Sequence, residues 1–269
     1  MHLFIYEAKT LQTLDISHAF GSSENFFFFH VFDNRCQIKN LTMDELEPDM
    51  TPHMAKLGAA FGLNTKLQSL SMRGIQHVLP KAMIEFWQNI KPNRHLKAIN
   101  MQGNKINNNV AGVIAEFLQV DGIALEDLNL SKNFISEDGL SNLAIALSSN
   151  KSLKKLNLSK NKIKDKNLNS LAYSLNINNT LEDLNLMGNE IDNEGITMLS
   201  EFLPNNTMLK SLDISKNEFT SQGLLHFATK LKDNSGIVFL NLHKKKETDF
   251  EDSLGLTEIA EALKDNAYI

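Results

Sequence analysis

The sequence predicts an α/β solenoid of about nine repeats, with a parallel sheet of short strands on one face and α-helices on the other. Three observations predict it. A phrase with apolar residues at its first, fourth and sixth places and Asn at its ninth returns every 28 or 29 residues. After each phrase the apolar residues switch to the i, i+1, i+4, i+5, i+8 stripe of an amphipathic helix. The chain also holds 31 Asn among 269 residues. Such a composition is compatible with disorder, but here the Asn residues fall at fixed phases of the repeat.

The strand phrases come first in each repeat. The five strong copies are Leu96-x-x-Ile99-x-Met101-x-x-Asn104, Leu125-x-x-Leu128-x-Leu130-x-x-Asn133, Leu153-x-x-Leu156-x-Leu158-x-x-Asn161, Leu181-x-x-Leu184-x-Leu186-x-x-Asn189 and Leu209-x-x-Leu212-x-Ile214-x-x-Asn217. Four weaker copies extend the series. They are carried by Leu11, Leu14 and Ile16; by Ile38, Leu41 and Met43; by Leu67, Leu70 and Met72; and by Ile237, Leu240 and Leu242. Alternation across a strand sends these residues to one face and the intervening ones to the other.

The helices follow. Gly139-Leu140, Leu143-Ala144 and Leu147 mark one stripe, and Gly195-Ile196, Leu199-Ser200 and Leu203 another. Gly223-Leu224, Phe227-Ala228 and Leu231 repeat the pattern, and Asn167-Leu168, Leu171-Ala172 and Leu175 place Asn in the Gly slot. Phe86 and Trp87 share a stripe with Met83 and Ile90 and are expected in the core. Each helix ends near Asn150, Asn178-Asn179, Asn205-Asn206 or Asn234, where a left-handed Asn is expected to stop it. A helical crossover makes successive strands parallel. Nine strands at ~4.8 Å give a sheet roughly 38 Å across. Helices are bulkier than strands, so the stack is expected to curve into a horseshoe with the sheet inside.

These phrases resemble the leucine-rich repeat family, and the 28–29-residue period with a full helix is similar to its ribonuclease-inhibitor-like class. The resemblance covers about residues 11–263 and is strongest from 96 to 236. It implies one domain over 1–269: degenerate repeats and cap over 1–95, regular repeats over 96–236, and a capping repeat over 237–269. It also implies a concave sheet and adjoining loops that bind another protein, without catalysis. Members of the class include enzyme inhibitors and GTPase-activating proteins; for the latter role Lys132, Lys160, Lys216 and Asn133 hold the rim positions. Short Lys/Asn-rich members resemble effectors that intracellular bacteria inject into host cells. The acidic stretch Glu247–Glu261 and the final Ala267-Tyr268-Ile269 are similar to effector translocation signals. The outer copies depart from the pattern, with Ala19, Leu46, Ile75 and Lys245 in place of the turn Asn.

The outward column at the strand centre reads Asn100, Asn129, Asn157, Asn185, Asp213, Asn241. Before it runs Ala98, Asp127, Lys155, Asp183, Ser211, Phe239, and after it Gln102, Ser131, Ser159, Met187, Ser215, His243. The partner-binding residues expected from these columns are Asn129, Asn157, Asp183, Asn185, Met187, Asp213, Phe239, Asn241 and His243. The C-terminal third is favoured because Met187, Phe239 and His243 break the polar pattern there, and aromatic anchors dominate interfaces. Elsewhere Glu126, Lys154, Glu182 and Lys210 form one row and Asp127, Lys155 and Asp183 another. Their signs alternate, so lateral pairing is expected to cancel them. Asn104, Asn133, Asn161, Asn189 and Asn217 are expected to form a structural ladder through backbone hydrogen bonds.

Chemistry is hard to find elsewhere. A net charge of −5 gives no sign of a nucleic-acid binder. The single Cys36 excludes an internal disulfide and a Cys-cluster metal site. The eight His are dispersed, and no Walker loop, GxGxxG, GxSxG or HExxH occurs, so no metal, cofactor or catalytic residue is expected. No apolar run reaches a membrane-spanning length. The N-terminus lacks a signal-peptide pattern. A monomer in a reducing, cytoplasmic compartment is expected, or in the host cytosol for an effector. Lys244–Lys246 reads as a solvated loop, and Phe26–Phe32 as the core of an N-terminal cap.

Overall fold

A computed structural model of the chain describes residues 10–18, 37–46, 49–75, 77–243 and 254–265. Nine three-residue strands form one parallel sheet in chain order: β1 (Thr13–Asp15), β2 (Asn40–Thr42), β3 (Ser69–Ser71), β4 (Ala98–Asn100), β5 (Asp127–Asn129), β6 (Lys155–Asn157), β7 (Asp183–Asn185), β8 (Ser211–Asp213) and β9 (Phe239–Asn241). The described helices are α1 (Met54–Leu63), α2 (Pro80–Ile90), α3 (Asn108–Leu118), α4 (Glu137–Ser149), α5 (Leu168–Ile177), α6 (Asn193–Ser200), α7 (Ser221–Leu231) and α8 (Leu254–Asp265). Every strand is the centre of one repeat phrase, weak copies included. Each helix packs against the helix of the next repeat. Cys36, Phe26–Phe32, Lys244–Lys246 and the last three residues lie outside the described residues.

One core runs the length of the stack. Leu125, Leu128 and Leu130 from the strand side and Leu140, Leu143 and Leu147 from the helix side are fully buried, and the other regular repeats repeat this sandwich. Phe86 and Trp87 are buried as expected. They belong to an edge-on aromatic chain, Phe61 to Phe86 (6.3 Å), Phe86 to Trp87 (5.8 Å) and Trp87 to Phe117 (5.3 Å). This chain stitches α1, α2 and α3 together.

The buried Asn residues link one repeat to the next. Asn161 Nδ2 donates to Leu130 O of the preceding repeat (3.0 Å) and to Leu158 O of its own (2.9 Å). Its Oδ1 accepts from Ile135 N (3.0 Å). Asn133, Asn189 and Asn217 make the same set, and Asn104 accepts from Ile75 N while donating to Met72 O. At the first repeats, where Asn is missing, Asp44 accepts from Arg73 N (2.8 Å) and Ser71 Oγ (2.6 Å). Arg73 also reaches Glu45 (3.3 Å).

A second ladder lies at the helix ends, and it corrects the expected left-handed stop. Asn150 and Asn178 are extended, at φ −66° and −69°. Their amides donate back to Leu118 O (2.8 Å) and Leu147 O (2.7 Å), while their Oδ1 atoms accept from Leu153 N and Leu181 N. Asn93, Asn206 and Asn234 do likewise. The turn after each of β4 to β8 instead holds a left-handed residue: Gly103, Lys132, Lys160, Gly188 and Lys216, all with φ between 55° and 73°. A lysine held there costs roughly 1–2 kcal/mol relative to glycine.

A third column opens the helices. Asn108 Oδ1 accepts from Ser136 N (2.9 Å) and Asn193 Oδ1 from Thr220 N (2.8 Å). These oxygens sit where a Cβ at Gly139 or Gly223 would come within 2.7 Å, so the glycines of α4 and α7 admit the side chain of the preceding repeat. In this column Asp165 accepts from Asp192 N (2.9 Å) and faces the Asp192 carboxylate. Burial, then the charge of Asp192, pushes the Asp165 carboxyl above its usual range.

Replacing Asn161 with Ala strands the buried Ile135 N–H and removes one of the two amide donors to each of Leu130 O and Leu158 O, and is expected to lower unfolding free energy by about 2 kcal/mol in urea titration. Asp165→Asn keeps the acceptor and removes the repulsion. Because the folded-state pKa of Asp165 is raised, its penalty is absent below the unfolded carboxyl pKa and grows as pH rises through the folded one. The variant is therefore expected to melt higher than the parent at pH 7, with the gap closing by about pH 3 in thermal scans.

Candidate functional site

The strands bring the outward residues into straight columns. Asn100, Asn129, Asn157, Asn185, Asp213 and Asn241 are successive Cα partners, as are Ala98, Asp127, Lys155, Asp183, Ser211 and Phe239. Short strands fix these positions tightly, since an apolar residue anchors the middle of each: buried Ile99 in β4, buried Leu in β5 to β8 and half-buried Leu240 in β9.

The central column has a role that sequence reasoning missed. Asn129 Oδ1 accepts from Ser131 N, Asn157 Oδ1 from Ser159 N and Asn185 Oδ1 from Met187 N, each at 2.9 Å. Asn100, Asp213 and Asn241 close the same turn onto Gln102, Ser215 and His243. An Asx residue two places before a turn amide was the available signal. A backbone N–H can only donate, so the atom facing it is oxygen and the amide nitrogen is the outward group. Among the described residues the Nδ2 atoms of Asn100, Asn129, Asn157 and Asn185 have no hydrogen-bond partner. Neighbouring strands space these donors ~4.8 Å apart. The series stops at Asp213, whose Oδ2 accepts from Asn241 Nδ2 (3.2 Å).

The column after the centre differs from expectation. Ser131, Ser159 and Ser215 are buried by the turn, whereas Gln102 and Met187 are half-buried and His243 is exposed. Phe239 is 54 % exposed and Val238 beside it 75 %, at the last strand.

Lateral charge pairing is less complete than the alternating signs imply. Glu126 and Lys154 meet at 2.8 Å, and that bond holds the Glu126 carboxyl below and the Lys154 ammonium above their usual ranges. Lys210 donates instead to Thr207 O (2.8 Å). Among the described residues, Asp127, Lys155 and Asp183 form no ion pair within 4.0 Å although they are register partners. Burial raises the Asp127 carboxyl, with Lys155 opposing and Asp183 reinforcing that shift. The middle of the face thus carries charges held close but not cancelled.

The rim beside the face has its own order. The residue after each ladder Asn reads Lys105, Phe134, Lys162, Glu190, Glu218, and all five are exposed or half-buried. Lys162 Nζ lies 4.8 Å from the Phe134 ring centroid. Next to Phe134 a cleft of about 320 Å³ is lined by Leu79, Pro80, Met83, Ile106 and Val110, with His77 and Lys105 also on its wall. No group of three or more His, Cys, Asp or Glu suited to a metal occurs among the described residues. Nor is any described helix long and apolar enough to cross a membrane.

A family model described as leucine-rich repeat matches residues 93–111, 149–172, 178–200 and 205–228. Among solved structures, internalin C2 from Listeria monocytogenes superposes with TM-score 0.53 at 18 % identity, over 86 % of this chain and 80 % of that one. Internalin InlF from the same organism gives 0.52 at 19 % identity, over 88 % of this chain and 63 % of that one. The leucine-rich repeat domain of APL1B gives 0.52 at 17 % identity, over 90 % and 57 %. At these identities the likeness is one of fold. The shared architecture, together with the four segments that the family model matches, gives this chain the fold of a leucine-rich repeat solenoid.

Proposed function

We propose that the chain works as a monomer and without catalysis, binding a protein partner through its strand face and the adjoining turns. One observation carries the reading: the middle of the face holds polar groups fixed in position yet left unpaired. Asp127, Lys155 and Asp183 lack ion-pair partners among the described residues, and the Asn129, Asn157 and Asn185 amides lack acceptors there. Partly buried polar groups without partners gain most from a ligand that supplies them. Phe239, with Asn241 and His243 beside it, adds an apolar anchor at the C-terminal end. Asp213 and Met187 connect the two areas.

The single domain over 1–269, with caps at 1–95 and 237–269, is supported by the unbroken sheet from β1 to β9. The 28–29-residue period and the helices of 8 to 13 residues support the ribonuclease-inhibitor-like class. The finer reading, an effector of an intracellular bacterium acting in the host cytosol, rests on the Lys/Asn-rich repeats and the C-terminal stretch.

Cross-linking pull-down from host lysate tests the face: Asp183→Lys and Phe239→Ala are each expected to cut recovery of the partner at least fivefold, about 1 kcal/mol. Equal recovery with both variants would assign binding to another surface. A translocation reporter fused to the chain is expected to lose delivery when Ala267-Tyr268-Ile269 is removed, and undiminished delivery would remove the effector argument.

A further inference from the structure

We propose that the rim cleft between α2, α3 and the turn of Phe134 is a second binding site, for a partner segment carrying one apolar side chain flanked by carboxylates. The apolar half of the argument is geometric. Leu79 is 61 % exposed and Phe134 48 %, and both line one cleft whose floor is Met83, Ile106 and Val110. Two large apolar side chains left in water at one concavity are a feature of binding sites. The cleft is of about 320 Å³, at the small end of ligand clefts, and suits a single aromatic or branched aliphatic side chain.

Charge selects what surrounds that side chain. Phe134 stands between Lys105 and Lys162 in the rim column, with the Lys162 ammonium 4.8 Å from its ring. Neither lysine has a carboxylate within 4.0 Å among the described residues, and no carboxylate lines the cleft. This is a local positive surface on a chain of net charge −5. The wall is preset, because Phe134 N donates to Ile106 O at 2.8 Å and the Ile106 amide is held by Asn133 at 3.0 Å. An apolar side chain enters between Leu79 and Phe134 while neighbouring carboxylates meet Lys105 and Lys162. The site does not depend on the strand face, from which it is separated by the turns.

Fluorescence anisotropy with three labelled peptides, GSDDFDDSG, GSDDADDSG and GSKKFKKSG, tests the assignment on the full chain. The first is expected to bind saturably, and the other two at least tenfold more weakly. Lys105→Glu combined with Lys162→Glu, and separately Phe134→Ala, are expected to weaken the first peptide at least tenfold without lowering the melting temperature. Raising salt from about 0.05 to about 0.5 M is expected to weaken it several-fold, whereas Asp183→Lys leaves it unchanged. Equal affinity for the phenylalanine and alanine peptides, no effect of the double lysine variant, or no saturable binding of GSDDFDDSG up to about 1 mM would overturn the proposal.

Discussion

The structure depends on a buried side-chain amide whose hydrogen bonds are complete only when the neighbouring repeat is in place. Asn161 is 7 % exposed, and its amide nitrogen finds the carbonyl of Leu130 only if the two repeats stack in register. A slip by one residue would leave that donor and the Ile135 N–H buried and unmatched, at a cost of a few kcal/mol per group. The even period, the parallel register and the left-handed turn are all conditions for that bond. The same rule operates at the helix ends through Asn150 and Asn178 and at the helix starts through Asn108 and Asn193. Hydrophobic burial between strands and helices supplies the driving force, and the three amide columns decide which stacking is adopted.

A scaffold so constrained presents surface groups at fixed spacings, which is the condition for recognition with little ordering cost. The central Asn column shows how structure limits function. Its oxygens are held by the turns, so a partner meets donors from Asn129, Asn157 and Asn185 and must bring acceptors. The rim is divided differently. It runs from Lys105, Phe134 and Lys162 to Glu190 and Glu218, changing sign along the stack. Glu190 is already engaged by Lys164 at 3.3 Å. Two neighbouring surfaces of one solenoid therefore offer different chemistry.

Architecture was legible in the sequence because a repeat states its own register: Leu125, Leu128 and Leu130 can be checked against four in-phase copies. Even the weak phrase at Leu11, Leu14 and Ile16 pairs as a strand, since period and alternation outlast the loss of the turn Asn. What was not legible are properties of the third dimension at single side chains. Alternation assigned Ser131 and Ser159 to solvent, but the turn folds over them. Asn150 was read by its conformational tolerance, whereas its backbone is extended and its side chain does the work. Opposite signs at Asp127 and Lys155 gave neighbours without giving contact, because side-chain reach and partial burial decide the last few ångströms. The cleft at Leu79 and Phe134 joins residues from three repeats, and no single phrase announces it.

The amide ladder also has a direction. In every regular repeat the Asn donates backwards, to a carbonyl about one repeat earlier in the chain, and accepts from an N–H of that same earlier repeat. A chain emerging from the N-terminus during synthesis therefore lays down each acceptor before the Asn that needs it exists. Every repeat, as it is completed, closes its predecessor and leaves one backbone N–H open for its successor. Growth of the solenoid and growth of the polypeptide run the same way.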